Sequence, residues 1–125
     1  MSLPKDIAKD LANDLAEYYF LLDGTGSIVV YQEKDTSWLG VLAFSSEAKA
    51  QEFVAESKLE VSDIVAISAS DAASIAGLIS QVKKRAVRNL LLDLGYQSGE
   101  CTTVEFEGDR FGAARKWQFA PKHKR

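Results

Sequence analysis

The chain has 125 residues, 46% of them apolar and 26% charged, with a formal net charge of −3. That size fits one domain with a true hydrophobic core, and an acidic balance excludes a protein that coats nucleic acid over its whole surface. No run approaches the roughly 18 consecutive apolar residues of a membrane-spanning helix, and the single cysteine, Cys101, excludes an internal disulfide.

The opening "MSLPKDIAKD" lacks a basic start followed by an apolar run, so no secretory signal is expected, and a lone thiol fits a reducing cytosol. From Pro4 to about Tyr18 the chain predicts an amphipathic helix. Proline is tolerated in a first turn, and Ile7, Leu11 and Leu15 recur at helical spacing along one apolar face. Asp6, Asp10, Asp14 and Glu17 form an acidic stripe on another face. Next, "YYFLL" and "SIVVYQ" are rich in aromatic and β-branched residues and flank "DGTG", the composition of a hairpin turn. With "WLGVLAF" after a second turn at "EKDTS", these segments predict a three-stranded antiparallel meander.

In "SSEAKAQEFVAES", Ser45 or Ser46 can cap a short helix, with Ala50, Phe53 and Val54 on one face. "VSDIVAIS" predicts a fourth strand. Ser70 and Asp71 then offer a cap for the clearest helical face in the chain, Ile75, Leu78, Ile79 and Val82 at i, i+3, i+4 and i+7. Lys83, Lys84 and Arg85 stand at its negative end. "VRNLLLDLG" reads as a strand buried on both faces and, following strand and helix, as parallel to the strand before it. "CTTVEFEG" alternates as a half-exposed strand, a pattern that an edge of the sheet would accommodate. The expected class is α+β: a single domain with a mixed, mostly antiparallel sheet, an N-terminal helix and two helices packed on the sheet.

Several stretches together resemble the SseB-like domain of small bacterial proteins: "FLLDGTGSIVVYQ", "GVLAFSSEAKAQEF", "SDAASIAGLIS" and "NLLLDLG", spanning roughly residues 19–95. The chain departs from that family at "LDLGYQSG", where an Asn-Pro-like ending is usual, and in its basic C-terminal segment. The resemblance implies a similar fold and a protein-interaction role.

Reactive chemistry is sparse. "DGTGS" has Val29 where a dinucleotide loop needs its third glycine, and a strand follows it in place of a helix. The single histidine, His123, is the third residue from the end, too isolated for a Ser-His-Asp or Cys-His site, and with Cys101 it does not make a zinc site. Neither catalytic residues, metal nor cofactor is therefore expected. Asp93, just after a buried strand, is the best placed single carboxylate for a crevice site, and an enzyme working through carboxylates there is one reading. Its plainer role is that of a turn residue.

The C-terminal segment stands apart. Residues 110–125 carry Arg110, Arg115, Lys116, Lys122, Lys124 and Arg125 and no acid, whereas elsewhere nine Lys and Arg face all eighteen Asp and Glu. Phe111, Trp117 and Phe119 are interleaved with these cations. Three readings stay open at this point. The aromatics form a last strand packed on the core, with Trp117 and Phe119 on one face; or Arg110, Arg115, Lys116, Trp117, Lys122, Lys124 and Arg125 bind an acidic protein surface; or they bind single-stranded nucleic acid, charge tracking the backbone and rings stacking on bases. The acidic stripe near the N-terminus is a further complement, within one molecule or across a homodimer. The functional expectation is a non-enzymatic cytosolic interaction domain, with a nucleic-acid accessory role and the Asp93 enzyme as alternatives.

Overall fold

The computed structural model describes residues 17–32 and 39–119, so the expected N-terminal helix lies outside the described residues. The elements are β1 (Glu17–Leu22), β2 (Val30–Gln32), β3 (Leu39–Phe44), α1 (Glu47–Ser57), β4 (Asp63–Ser68), α2 (Ala72–Lys83), β5 (Asn89–Leu92), β6 (Glu100–Glu107) and β7 (Arg110–Gln118). The strands form one sheet in the order β4-β1-β3-β5-β6-β7, with β2 also paired to β3. Among the described residues only β3 and β5 pair in parallel; the other pairings are antiparallel. The class is α+β, with a mostly antiparallel sheet and, among the described residues, two helices.

Both helices form where local chemistry directs them. Ser46 caps α1 by accepting the Lys49 amide at 3.2 Å, and Lys58 ends it in the left-handed region at φ 58°. Asp71 caps α2 by accepting the Ser74 amide at 3.1 Å. Ile75, Leu78, Ile79 and Val82 of α2 are all buried, as their spacing predicts. Each such side chain contributes about 1.5–3 kcal/mol by leaving water, which outweighs the roughly 1 kcal/mol that Gly77 costs inside the helix.

The pleat of the sheet separates two cores. On one face α2 covers Phe20, Val41, Ala43, Leu90 and Val104. On the other, Ala50 and Phe53 of α1 meet Leu21, Leu42, Phe44, Leu91 and Cys101. Adjacent residues of β3 thus feed opposite cores, and Val41 through Phe44 are all buried.

Two expectations need correction. β1 and β2 are not a hairpin of paired strands, and β1–β3 are not a meander. Both strands run antiparallel to β3 along the same edge, Phe20 opposite Ala43 and Val30 opposite Val41, so the chain leaves β3, makes a loop and returns to it. The turn chemistry at "DGTGS" is real, but it closes that loop. Asp23 accepts the amides of Thr25 (2.8 Å) and Ser27 (3.1 Å) and the Thr25 hydroxyl (2.6 Å), Gly26 takes φ +83°, and Leu22 bridges Ile28. These bonds, led by the Thr25 hydroxyl, hold the Asp23 carboxyl below its usual range. The periodicity of each strand reports a pleat and says nothing about its neighbour, so it does not fix the pairing. Likewise β6 is not an edge: it lies between β5 and β7. Its exposed alternate residues reflect incomplete helical cover of the sheet there, not a missing strand.

The expected parallel relation of β5 to the strand before α2 holds in direction, because β4 and β5 both run with β3. They are not neighbours; β1 and β3 lie between them. Near the far end of the sheet the Phe119 amide donates to the Gly99 carbonyl at 2.8 Å. A Cβ on Gly99 would stand 2.4 Å from the Phe119 carbonyl oxygen, and its φ of +78° disfavours any L side chain.

Two glycines therefore predict opposite outcomes in urea unfolding. Gly99→Ala is expected to lose about 2–3 kcal/mol from backbone strain and the forced retreat of the closing strand. Gly77→Ala, at an exposed helical position with nothing within 4 Å of the added Cβ, is expected to gain about 0.5–1 kcal/mol. A neutral Gly99→Ala would show that this closure does not hold the β6–β7 end in place.

Candidate interaction edge and adjoining cleft

Of the three readings of the C-terminal segment, the structure shows residues 110–118 as a strand. β7 pairs with β6 from Glu107 opposite Arg110 to Glu100 opposite Gln118. The ladder is irregular between Val104 and Phe106, and this shift sorts the aromatics. Phe111 and Ala114 pack against the α2-side core, Phe111 edge-on to Tyr18 with ring centroids 5.0 Å apart. Phe119 joins the α1-side core and lies 5.8 Å from Tyr31, centroid to centroid. Trp117 and Phe119 share a side of the strand as their spacing predicts, rings T-shaped at 6.2 Å, while Trp117 remains 52% exposed.

The first part of β7 is therefore anchored and the second displayed: Arg115, Lys116, Trp117 and Gln118 are all exposed. Among the described residues β7 has no neighbour on its outer edge. Because the Phe119 amide faces β6, antiparallel alternation turns Trp117 and Arg115 the same way and leaves the backbone groups of Ala114, Lys116 and Gln118 on the open edge. Of the seven candidate binding residues, Arg110, Arg115, Lys116 and Trp117 lie on this strand. Lys122, Lys124 and Arg125 lie outside the described residues. Arg110 is at the far end of β7, beside the start of α2, so the four are strung along an edge and not gathered at a point. Arg115 makes a loose, exposed ion pair with Glu105 at 3.8 Å, and among the described residues Lys116 has none.

At the rim where β3, β5 and β7 finish and β6 begins there is an open cleft of about 890 Å³. Lys116, Trp117 and Gln118 line it from β7, and Lys49 and Asp93 from the opposite side. Asp93 holds that side together. One carboxylate oxygen accepts the Ser45 amide at 2.8 Å; the other accepts the Ser45 hydroxyl at 2.8 Å and stands 3.4 Å from the Lys49 ammonium. Its own amide donates to the Ala43 carbonyl, and its φ is 57°, a region aspartate tolerates better than most residues. The carboxylate expected at a crevice is thus at one, but its bonds join the end of β5 to the β3–α1 corner. Lys49 was not legible as a site residue: it is an exposed position in the first turn of a helix, and only the parallel pairing of β3 with β5 brings it to Asp93.

Cys101 lines the same rim yet is buried among the α1-side core residues, and burial pushes its thiol up to about 12. Among the described residues no group of three or more His, Cys, Asp or Glu side chains gathers as a metal site would require, and no helix is long and apolar enough to cross a membrane.

Comparison of the chain with protein-family models, with curated proteins and with solved structures finds no match. The likeness to the SseB-like domain over residues 19–95 rests on the sequence features alone.

Asp93→Ala is expected to cost about 2–4 kcal/mol, since it strips two close bonds from Ser45 and puts alanine at a positive φ. Asp93→Asn, which keeps an acceptor and tolerates that conformation, is expected to cost less than half as much. Equal losses would place the corner's stability elsewhere. For Cys101 the raised thiol implies protonation at neutral pH. Its contribution to stability is fully present below the unfolded thiol value of about 8.5 and is lost as pH rises through the folded value of about 12. Maleimide labelling at neutral pH is expected to follow global unfolding, and labelling at the rate of a free peptide thiol would contradict its burial.

Proposed function

We propose that this chain is a non-enzymatic protein-interaction module, and that the open edge of β7 receives an extended, acidic segment of a partner protein. The observation that carries this reading is the composition of that edge: Arg110, Arg115 and Lys116, an exposed Trp117, no acid, and a row of backbone donors and acceptors with no strand beside it among the described residues. An added strand gains main-chain hydrogen bonds from the edge, and side chains along it set specificity. Exposed ion pairs contribute only about 0–1 kcal/mol each, so the cations act mainly by selecting the partner and speeding encounter.

The same cations bear on the homodimer reading. Two copies joined edge to edge through β7 would set Arg110, Arg115 and Lys116 of one against those of the other, and like charges facing across strands are unfavourable. An acidic strand meets the opposite situation. Single-stranded nucleic acid is the second candidate, but the surplus of acids over the rest of the chain repels a long polyanion, so a short acidic segment is favoured. The interaction role implied by the SseB-like resemblance agrees with this reading.

Random ten-residue peptides displayed on phage and selected on the immobilised protein test it. Acidic sequences are expected to be enriched, with affinity falling as salt rises from about 50 to about 500 mM. Lys116→Pro removes an outward amide at no cost to the β6 ladder and is expected to abolish binding, whereas Lys116→Gln, which removes only charge, is expected to weaken it a few-fold. Selected peptides indifferent to Lys116→Pro, or an oligonucleotide that outcompetes them, would overturn the proposal.

A further inference from the structure

Among the described residues two large apolar side chains stand exposed, Leu59 at 37% and Trp117 at 52%. Leu59 is alone in the loop after α1, and isolated apolar residues on a surface are ordinary. Trp117 is placed differently, on an outer strand with no strand beside it among the described residues. Its ring meets Phe119 edge-on at 6.2 Å. Its partner on β6, Cys101, is packed in the α1-side core, so the indole lies on that side of the sheet.

Backbone direction decides which side chains of a docked strand come closest to β7. Lys116 and Gln118 turn their amides and carbonyls outward, whereas those of Arg115 and Trp117 turn to β6. A strand added antiparallel therefore exchanges hydrogen bonds with Lys116 and Gln118 and sets its non-bonded pairs opposite Arg115 and Trp117. Cα atoms in such pairs stand about 4.5 Å apart, against about 5.5 Å in the bonded ones, and their side chains lie correspondingly closer. The tightest side-chain contacts thus fall on the α1 side, against an arginine and an indole. The arginine is already loosely paired, with Glu105 at 3.8 Å. On the other side of the sheet Glu100, opposite Gln118, lies diagonally from Lys116. Carboxylates one strand in from the edge offset part of the pull of these cations, whereas the indole still has half of its surface to bury.

Resting on the β7-edge reading, we infer that Trp117 is the apolar anchor of that edge: the docked segment runs antiparallel to β7 and sets one aromatic or branched aliphatic side chain against the indole. Cross-strand pairs of this kind stabilise sheets, and tryptophan is enriched among the few residues that dominate binding. Phe119 already braces the ring, so little freedom is lost when the contact forms. The order of residues in the partner follows. Arg110, Arg115 and Lys116 all precede Trp117, and antiparallel pairing reverses the order, so the acids of the segment come after its apolar residue. The position facing Lys116 is the next one along, and the position facing Arg115 is the one after that. The partner is then narrower than any acidic peptide: an extended segment in which an aromatic or branched side chain is directly followed by acids.

The test uses peptides selected on the native protein, with each apolar position changed in turn to alanine. One position ahead of the acids is expected to stand out, its change weakening binding about tenfold. Trp117→Ala, checked by thermal melting to be folded, is expected to weaken the unchanged peptide by a similar factor and to make the alanine change almost without effect. Trp117→Phe is expected to restore most of that coupling. Peptides that depend on the β7 edge, as judged by Lys116→Pro, but have no apolar position coupled to Trp117 would overturn the anchor and leave the edge standing. A coupled apolar position that follows the acids would overturn the antiparallel direction. Peptides independent of Lys116→Pro would overturn edge and anchor together.

Discussion

Strand β3 is the element on which the arrangement depends. Val41, Leu42, Ala43 and Phe44 are all buried, so consecutive side chains enter opposite cores and a helix must cover each face. Both of its edges are also occupied: β1 and then β2 share one, and β5 lies parallel on the other. A parallel neighbour cannot be reached by a tight turn. The chain therefore travels through α1, β4 and α2 before β5 arrives, and this path sets α1 on one face and α2 on the other. The sheet then continues through β6 and β7, whose Val104, Phe106, Phe111 and Ala114 join the α2-side core.

The parallel pairing of β3 with β5 also makes the cleft. Both strands end at the same rim, where β3 turns into α1 and β5 turns into the loop before β6. Asp93 fastens the two ends through Ser45. The residue that shapes the wall of the cleft is thus one that stabilises the fold, and its carboxylate is spent on internal bonds. Lys49, Lys116, Glu100 and Trp117 line the same cleft.

The helices were legible residue by residue. Ser46 and Asp71 cap where their spacing to the apolar run says they should, and the four apolar positions of α2 are the four it buries. Helical signals are local, so a single sequence carries them in full. Strand identity was legible for the same reason, through alternation, but strand partners were not. "DGTGS" has the composition of a hairpin turn and forms a tight loop, yet which strand lies beside β1 is decided by β3, more than twenty residues away. The basic segment was legible as chemistry and ambiguous as structure. Its charges and rings were evident, whereas the register shift that divides them depends on how β6 and β7 meet. Lys49 was invisible because nothing local distinguishes it from any exposed lysine on a helix.

That register shift gives β7 its character. In a regular ladder Phe111 and Trp117, an even number of residues apart, would face the same side. The irregularity near Val104 and Phe106 changes the parity between them. Phe111 goes to the α2-side core with Tyr18 and Phe106, and Trp117 emerges on the other side with Phe119. The strand is consequently fixed at its start by packing and at its end by the Gly99–Phe119 closure. Between these fixed points it presents exposed cations and a half-open indole on a backbone whose shape is already set. An edge held in this way loses little conformational freedom when a segment docks, so more of the hydrogen-bond energy remains as affinity. The like charges that would favour an acidic segment in the proposed docking also oppose pairing of the edge with another copy of itself, the hazard that open strands ordinarily carry.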